Sequence, residues 1–304
     1  MPTEAQFKEQ LQNGRMVESV DEMTDGYEDA LRRILLVSAD TELMSAPAYY
    51  EQSLAAPSLE ARASCVSVIQ DELGHGHIAY RLLENLGEDK HDLIYNREPH
   101  EFRNTYGFDQ YLDNFAELIV GHAFFDRAGI TLLGDVHENT SYAPWKRALR
   151  KVAKEEQFHL RHGETWMRRL ATKSEKTRQK VQEAADWMMP MAMEWFGMPD
   201  DKKQHDEQLE YRIKGKSNDE LRQTWLSTGV PFCEDIGIDI PAHYDDEADE
   251  YVLEYDMPVA FVEEDKEWRF DEPVGWDDVM DRWRSRGPAI EEYVERIQSG
   301  AMPV

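Results

Sequence analysis

The chain has 304 residues, 41% of them hydrophobic, enough for a substantial core in one large or two modest domains. Its 62 acidic residues outnumber 34 basic ones, for a formal net charge of −28, which argues against nonspecific attraction to nucleic acid or anionic lipid. No stretch approaches the roughly 18 apolar residues of a membrane span, and the start MPTEAQFKEQ lacks the basic-then-apolar order of a secretory signal.

A first amphipathic helix is expected over about 25–46, ending before Pro47, and a second over about 58–86, capped by Ser58 and stopped at Gly87. A third is expected over about 107–138, a fourth over about 144–172 and a fifth over about 176–196, kinked or broken at Pro190. Past residue 205 the pattern changes to a shorter helical piece around SNDELRQTWL, an acidic, proline-punctuated tail and a final helix near 288–298. The expectation is an all-α protein: a helical bundle in 1–205, with an extension in 206–304, partly helical and partly irregular, packing on it. The run YDDEADEYVLEYD reads as a solvated face. Cys65 and Cys233 form no CxxC and read as reduced thiols of a cytoplasmic protein. The acidic excess suits solubility at high salt, as in a halophile.

Two segments repeat one pattern: Asp71-Glu72-x-x-His75 and Glu155-Glu156-x-x-His159. Glu-x-x-His alone means little, and a third copy at Glu88–His91 lies in an expected loop. The first two copies sit on apolar stripes: Glu72 and His75 among Cys65, Val68, Ile69, Ala79 and Leu82, and Glu156 and His159 among Leu149, Val152, Trp166 and Leu170. Carboxylates on a core-facing stripe are costly unless paired or metal-bound. A dinuclear site in a four-helix bundle needs one more acid from each remaining helix. Glu42 lies on the first helix's stripe. On the third, Asp126 shares the buried face while Glu117, nine residues away, falls opposite. Glu42 to Glu72 and Asp126 to Glu156 are both 30 residues apart, the signature of two equivalent hairpins. Four carboxylates and two imidazoles suit iron or manganese better than structural zinc. Asp71 and Glu155 are candidates to hold the N–H of the opposite histidine. GHGHIA, mid-helix with no preceding strand, is not a dinucleotide fingerprint, so electrons are expected from a partner. The methionine-rich WMMPMAMEWFGM reads as helical core.

QDELGHG, TSYAPWKRALRKVAKEEQFHLRHG, WFGMPDD, and IKGKSNDELRQ followed by VP and GIDIP together make the chain resemble the catalytic, A-type subunits of phenylacetyl-CoA 1,2-epoxidases over nearly its whole length. The fit is loosest at 88–110, around 138 and in the acidic tail. The resemblance implies a ferritin-like fold, a centre of two Fe ions held by Glu42, Glu72, His75, Asp126, Glu156 and His159, and O₂-dependent epoxidation of the phenylacetyl-CoA ring. It also implies a metal-free sister of C type, a small bridging subunit, and a reductase carrying the NAD(P)H, flavin and iron–sulfur chemistry. The basic island Arg212, Lys214 and Lys216 is expected to meet the CoA phosphates. Another di-iron aryl-CoA oxygenase or a non-catalytic iron-binding protein of ferritin type are the alternatives. A ribonucleotide reductase small subunit is disfavoured, because the position four residues after His75 is Ala79.

Overall fold

The computed structural model describes residues 2–203 and 205–299. In chain order its helices are α1 (Glu4–Gln12), α2 (Asp25–Ser53), α3 (Leu59–Glu84), α4 (Lys90–Tyr95), α5 (Phe115–Asn139), α6 (Ala143–Lys173), α7 (Glu175–Trp195), α8 (Glu207–Glu210), α9 (Asn218–Ile236), α10 (Trp276–Ser285) and α11 (Ile290–Gln298). Between α9 and α10 lie two antiparallel hairpins, β1 (Ala242–Asp245) with β2 (Glu250–Leu253) and β3 (Val259–Val262) with β4 (Glu267–Pro273). The fold is all-α with small two-stranded additions, consistent with the expected ferritin-like bundle. No helix among the described residues is long and apolar enough to cross a membrane.

Two helical hairpins, α2–α3 and α5–α6, make the bundle and meet along α3 and α6. Side-chain caps set several helix starts: Ser58 accepts from Ala61 N–H, and Asn114 accepts from Ala116 and Glu117 N–H. The Asn114 cap places the start of α5 later than the expected 107, leaving 106–109 as a single 3₁₀ turn. Pro47, Pro190 and Pro231 all lie inside helices, so α2 does not stop at residue 46 and α7 does not break. A proline costs a helix one bond and about 3 kcal/mol. Here the residues beyond each proline are buried, Ala48 and Tyr49 after Pro47 and Met191 to Met193 after Pro190, and packing outweighs that cost.

The extension is more ordered than its sequence suggested. Its hairpin strands are only four to seven residues long, and the β1–β2 turn carries the exposed acids of the expected solvated run. Residues from bundle and extension enter one apolar core. Trp225 Nε1–H donates to Phe124 O at 3.0 Å, Trp268 Nε1–H donates to Trp187 O at 2.9 Å, and Arg282 pairs with the buried Glu194.

Close approach of α5 and α6 depends on Gly163. A Cβ there would lie 2.5 Å from Ala123 N and 2.7 Å from His122 C, both backbone atoms that cannot step aside. Gly163→Ala is therefore expected to cost roughly 1–3 kcal/mol, read as a lower urea midpoint at unchanged slope; an unchanged midpoint would contradict this packing.

Candidate metal centre

Each hairpin contributes one acid from its first helix and a Glu-x-x-His from its second. The i, i+3 spacing turns Glu72 and His75 of α3, and Glu156 and His159 of α6, onto the inner face. Two overlapping groups result: Glu42, Glu72, His75 and Glu156, and Glu72, Asp126 and His159, each with ligand-capable atoms within 4.8 Å of one another. Glu72 belongs to both, so the two groups form one extended cluster. His75 Nδ1 lies 3.1 Å from Glu156 Oε1 and 3.5 Å from Glu42 Oε2; His159 Nδ1 lies 3.1 Å from Glu72 Oε1. The α2 backbone comes close because α3 has Gly76 there: a Cβ would sit 3.2 Å from Leu43 N.

The cluster's polar inventory fits a metal ion. His75 Nδ1, His159 Nδ1 and Asp126 Oδ2 are buried with no hydrogen-bond partner, and three orphaned atoms converging on four carboxylates are costly in a closed core. The outer nitrogens are held crosswise. His75 Nε2 lies 3.0 Å from Glu155 Oε2, and His159 Nε2 lies 3.4 Å from Asp71 Oδ2. A carboxylate on Nε2–H keeps that proton in place and turns Nδ1 toward the cluster, where its lone pair becomes free once a cation displaces the second proton.

Electrostatics tell the same story. Burial and the neighbouring Glu72 charge push Glu42 and Asp126 well above the usual carboxylate range, and burial raises Glu156. Burial also works upward on Glu72, but the facing His159 and Glu42 side chains and two imidazolium charges bring it down to about 2. Desolvation opposes charge on the histidines, yet the facing carboxylates raise His75 to about 12 and His159 to about 10. Without a cation, this much carboxylate in one place retains protons.

The six residues read as ligands are thus brought together, with Asp71 and Glu155 beside the opposite histidines. Glu117 lies elsewhere, bonded to Lys266 Nζ at 2.9 Å and to Asp113 N–H. The third Glu-x-x-His is dispersed: Glu88 pairs with Arg32, and His91 packs on Tyr95. The basic island expected to meet CoA phosphates is divided in the structure. Lys214 is 3% exposed, its Nζ donating to Asn218 Oδ1 at 2.8 Å beside Asp206. Arg212 donates to the carbonyls of Asn139 and Leu11, and Lys216 Nζ donates to Thr224 Oγ1. Arg212 thus ties the extension to the bundle and Lys214 is consumed within the extension, while Lys216 lines a separate open pocket with Arg127 and Thr228.

Sequence reasoning missed Tyr49, whose hydroxyl donates to Asp126 Oδ1 at 2.7 Å. It lies seven residues after Glu42 on the same helix face, hidden by the assumption that α2 stops at Pro47. It also missed the buried pair His122 and His162, with Nδ1 atoms 3.2 Å apart.

The phenylacetic acid catabolic protein family matches residues 8–267. The chain is 30% identical over 255 residues to the A-type subunit of 1,2-phenylacetyl-CoA epoxidase from Escherichia coli (strain K12), spanning 83% of this chain and 82% of that protein. It is 29% identical over 145 residues to the C-type subunit of the same enzyme, spanning 46% of this chain and 57% of that protein.

Proposed function

Since the chain belongs to the phenylacetic acid catabolic protein family, we propose that it is the metal-bearing, catalytic subunit of a multicomponent oxygenase that epoxidises the aromatic ring of phenylacetyl-CoA. The observation that carries this reading is the cluster itself, six ligand-type side chains with three unpartnered polar atoms aimed inward. The A-type relative is also matched over most of its length. The system implied by the resemblance is completed by a reductase and a metal-free sister subunit.

Glu42, Glu72, His75 and Glu156 would hold one ion, and Asp126 and His159 with Glu72 a second. The oxygen-rich donor set suits iron. Bound there, iron would supply activation of O₂ for transfer of one oxygen atom to the ring. The chain's own residues do the rest. Glu155 and Asp71 keep the Nε2 protons of His75 and His159, so both rings present Nδ1. Tyr49 holds Asp126 through Oδ1 and leaves Oδ2 inward. The buried Leu43, Val68, Ile69 and Val152 on the bundle's inner faces limit bulk water.

The test is oxygen-dependent turnover of phenylacetyl-CoA by the iron-loaded chain with its partner subunits. Ring epoxide supports the reading; oxygen consumption with release of iron into storage and no thioester product favours the ferritin-type alternative.

A pH dependence follows from the cluster. With Glu42, Asp126, Glu156, His75 and His159 all raised, the folded metal-free chain holds protons that the unfolded chain has released above about pH 4.5 for carboxylates and about 6.5 for histidine. Stability of the metal-free form therefore falls as pH rises toward the folded value of about 10 for His159. Metal competes with the same protons and binds more tightly as pH rises. The gap in Tm between metal-loaded and metal-free protein should widen from pH 6 to pH 9; a constant or narrowing gap would contradict the protonation pattern.

A further inference from the structure

The chain carries nearly twice as many acids as bases, yet α6 is basic on its outer side. Exposed Arg147, Arg150, Lys151, Lys154, Arg161, Arg168 and Arg169 line it. Arg147, Lys151 and Arg168 have carboxylate partners. Arg150 and Lys154 make no hydrogen bond or ion pair among the described residues, and Arg161 reaches only the Gln157 carbonyl of its own helix. In a protein with so many spare carboxylates, cations left unpaired together on one helix form a local reversal of charge. Arg150, Lys154 and Arg161, with His137, line a broad open groove of about 680 Å³. Phe158 on the same helix is 38% exposed, an apolar contact within the charged face.

A polar route to the cluster opens at the edge of this face, where Lys151 and Glu155 follow Arg150 and Lys154 in the chain. His75 Nε2 bonds Glu155 Oε2 at 3.0 Å, and Glu155 Oε1 bonds Lys151 Nζ at 3.0 Å, whose side chain is 66% exposed. His159 reaches Asp71, itself 24% exposed. One carboxylate thus separates each histidine from solvent on the α3–α6 side.

We propose that the outer face of α6, centred on Arg150, Lys154 and Arg161, is the docking surface for an acidic iron–sulfur electron-donor protein. The proposal rests on the oxygenase reading, which requires electrons from outside the chain. In each turnover two reduced iron–sulfur clusters are oxidised by one electron apiece. Those two electrons and two protons, with O₂, put one oxygen atom into the ring and release the other as water. Unpaired guanidinium and ammonium groups select a carboxylate-rich partner surface and repel basic ones, and docking here brings the donor beside the Lys151–Glu155 pair at the edge of the face.

The test uses a plant-type [2Fe–2S] ferredoxin, an acidic protein, as donor probe against the iron-loaded chain and its R150E/K154E/R161E variant. The expected result is a Kd for ferredoxin at least tenfold higher in the variant and a matching loss in the rate at which reduced ferredoxin bleaches the iron chromophore. Dithionite with a viologen mediator should reduce both chains equally, which also shows that the variant is folded and loaded. Equal ferredoxin Kd and rate in the two chains would overturn the proposal. So would an unchanged ferredoxin Kd with a raised KM for phenylacetyl-CoA, which would give the face to CoA phosphates, or an unchanged Kd with altered self-association, which would give it to a second copy. If dithionite reduces neither chain, the iron reading fails first and takes this proposal with it.

Discussion

His75→Ala is expected to lower bound metal from two ions toward one per chain and to cut epoxidation about a thousandfold, since a metal centre supplies several kcal/mol at 1.36 kcal/mol per decade. The imidazole is 2% exposed and faces Glu42 and Glu156 through Nδ1. Alanine removes one ligand of the first group and leaves Glu155 without its ring partner. Glu156→Ala should have an equal or larger effect, because Glu156 approaches both His75 and His159. Metal analysis and turnover on the same preparation read both consequences. Full metal content with full activity in either variant would remove that residue from the ligand set.

Arg286→Met is expected to destabilise the protein by about 3–5 kcal/mol, the cost of leaving a buried charge without its partner. Arg286 Nε–H donates to Asp109 Oδ2 at 2.8 Å, and its other nitrogens donate to the carbonyls of Phe102 and Asn104. Asp109 is fully buried; burial pushes its carboxyl above the usual range against the pull of Arg286. Without the guanidinium, only Asn104 Nδ2–H and the Gly287 N–H among the described residues face that carboxylate. The tie joins the segment before α5 to the link between α10 and α11, so its loss should loosen the extension from the bundle. Denaturant unfolding measures the cost. Asp109→Asn combined with Arg286→Met should recover part of it, since no charge is then stranded. A loss under about 1 kcal/mol in the single variant would show that the pair is not a structural anchor.

The convergence of the six carboxylate and histidine side chains was legible in the sequence because carboxylates on an apolar stripe are expensive, and the repeated 30-residue interval made two such stripes agree. Tyr49 was not legible, because the sequence signal of Pro47 is a helix stop, whereas burial of Ala46, Ala48 and Tyr49 carries α2 onward to Ser53. The extension hid its hairpins for another reason. Strands such as Ala242–Asp245 and Glu250–Leu253 are too short and too charged to show alternation, and their pairing is set by distant contacts such as Gln223 with Tyr251. The basic island shows what residue type cannot convey. Lys214 and Arg212 read as surface charges, but direction is a tertiary property: Arg212 turns onto bundle carbonyls and Lys214 onto Asn218 within the extension.

The most direct measurement of the central claim is the fate of isotopically labelled O₂ in a reaction of the iron-loaded chain, its partner subunits and phenylacetyl-CoA. The account predicts one labelled oxygen atom in each ring-modified thioester, lost when iron is removed and restored when it is returned. A thioester recovered unlabelled, or labelled equally by metal-free protein, would contradict it.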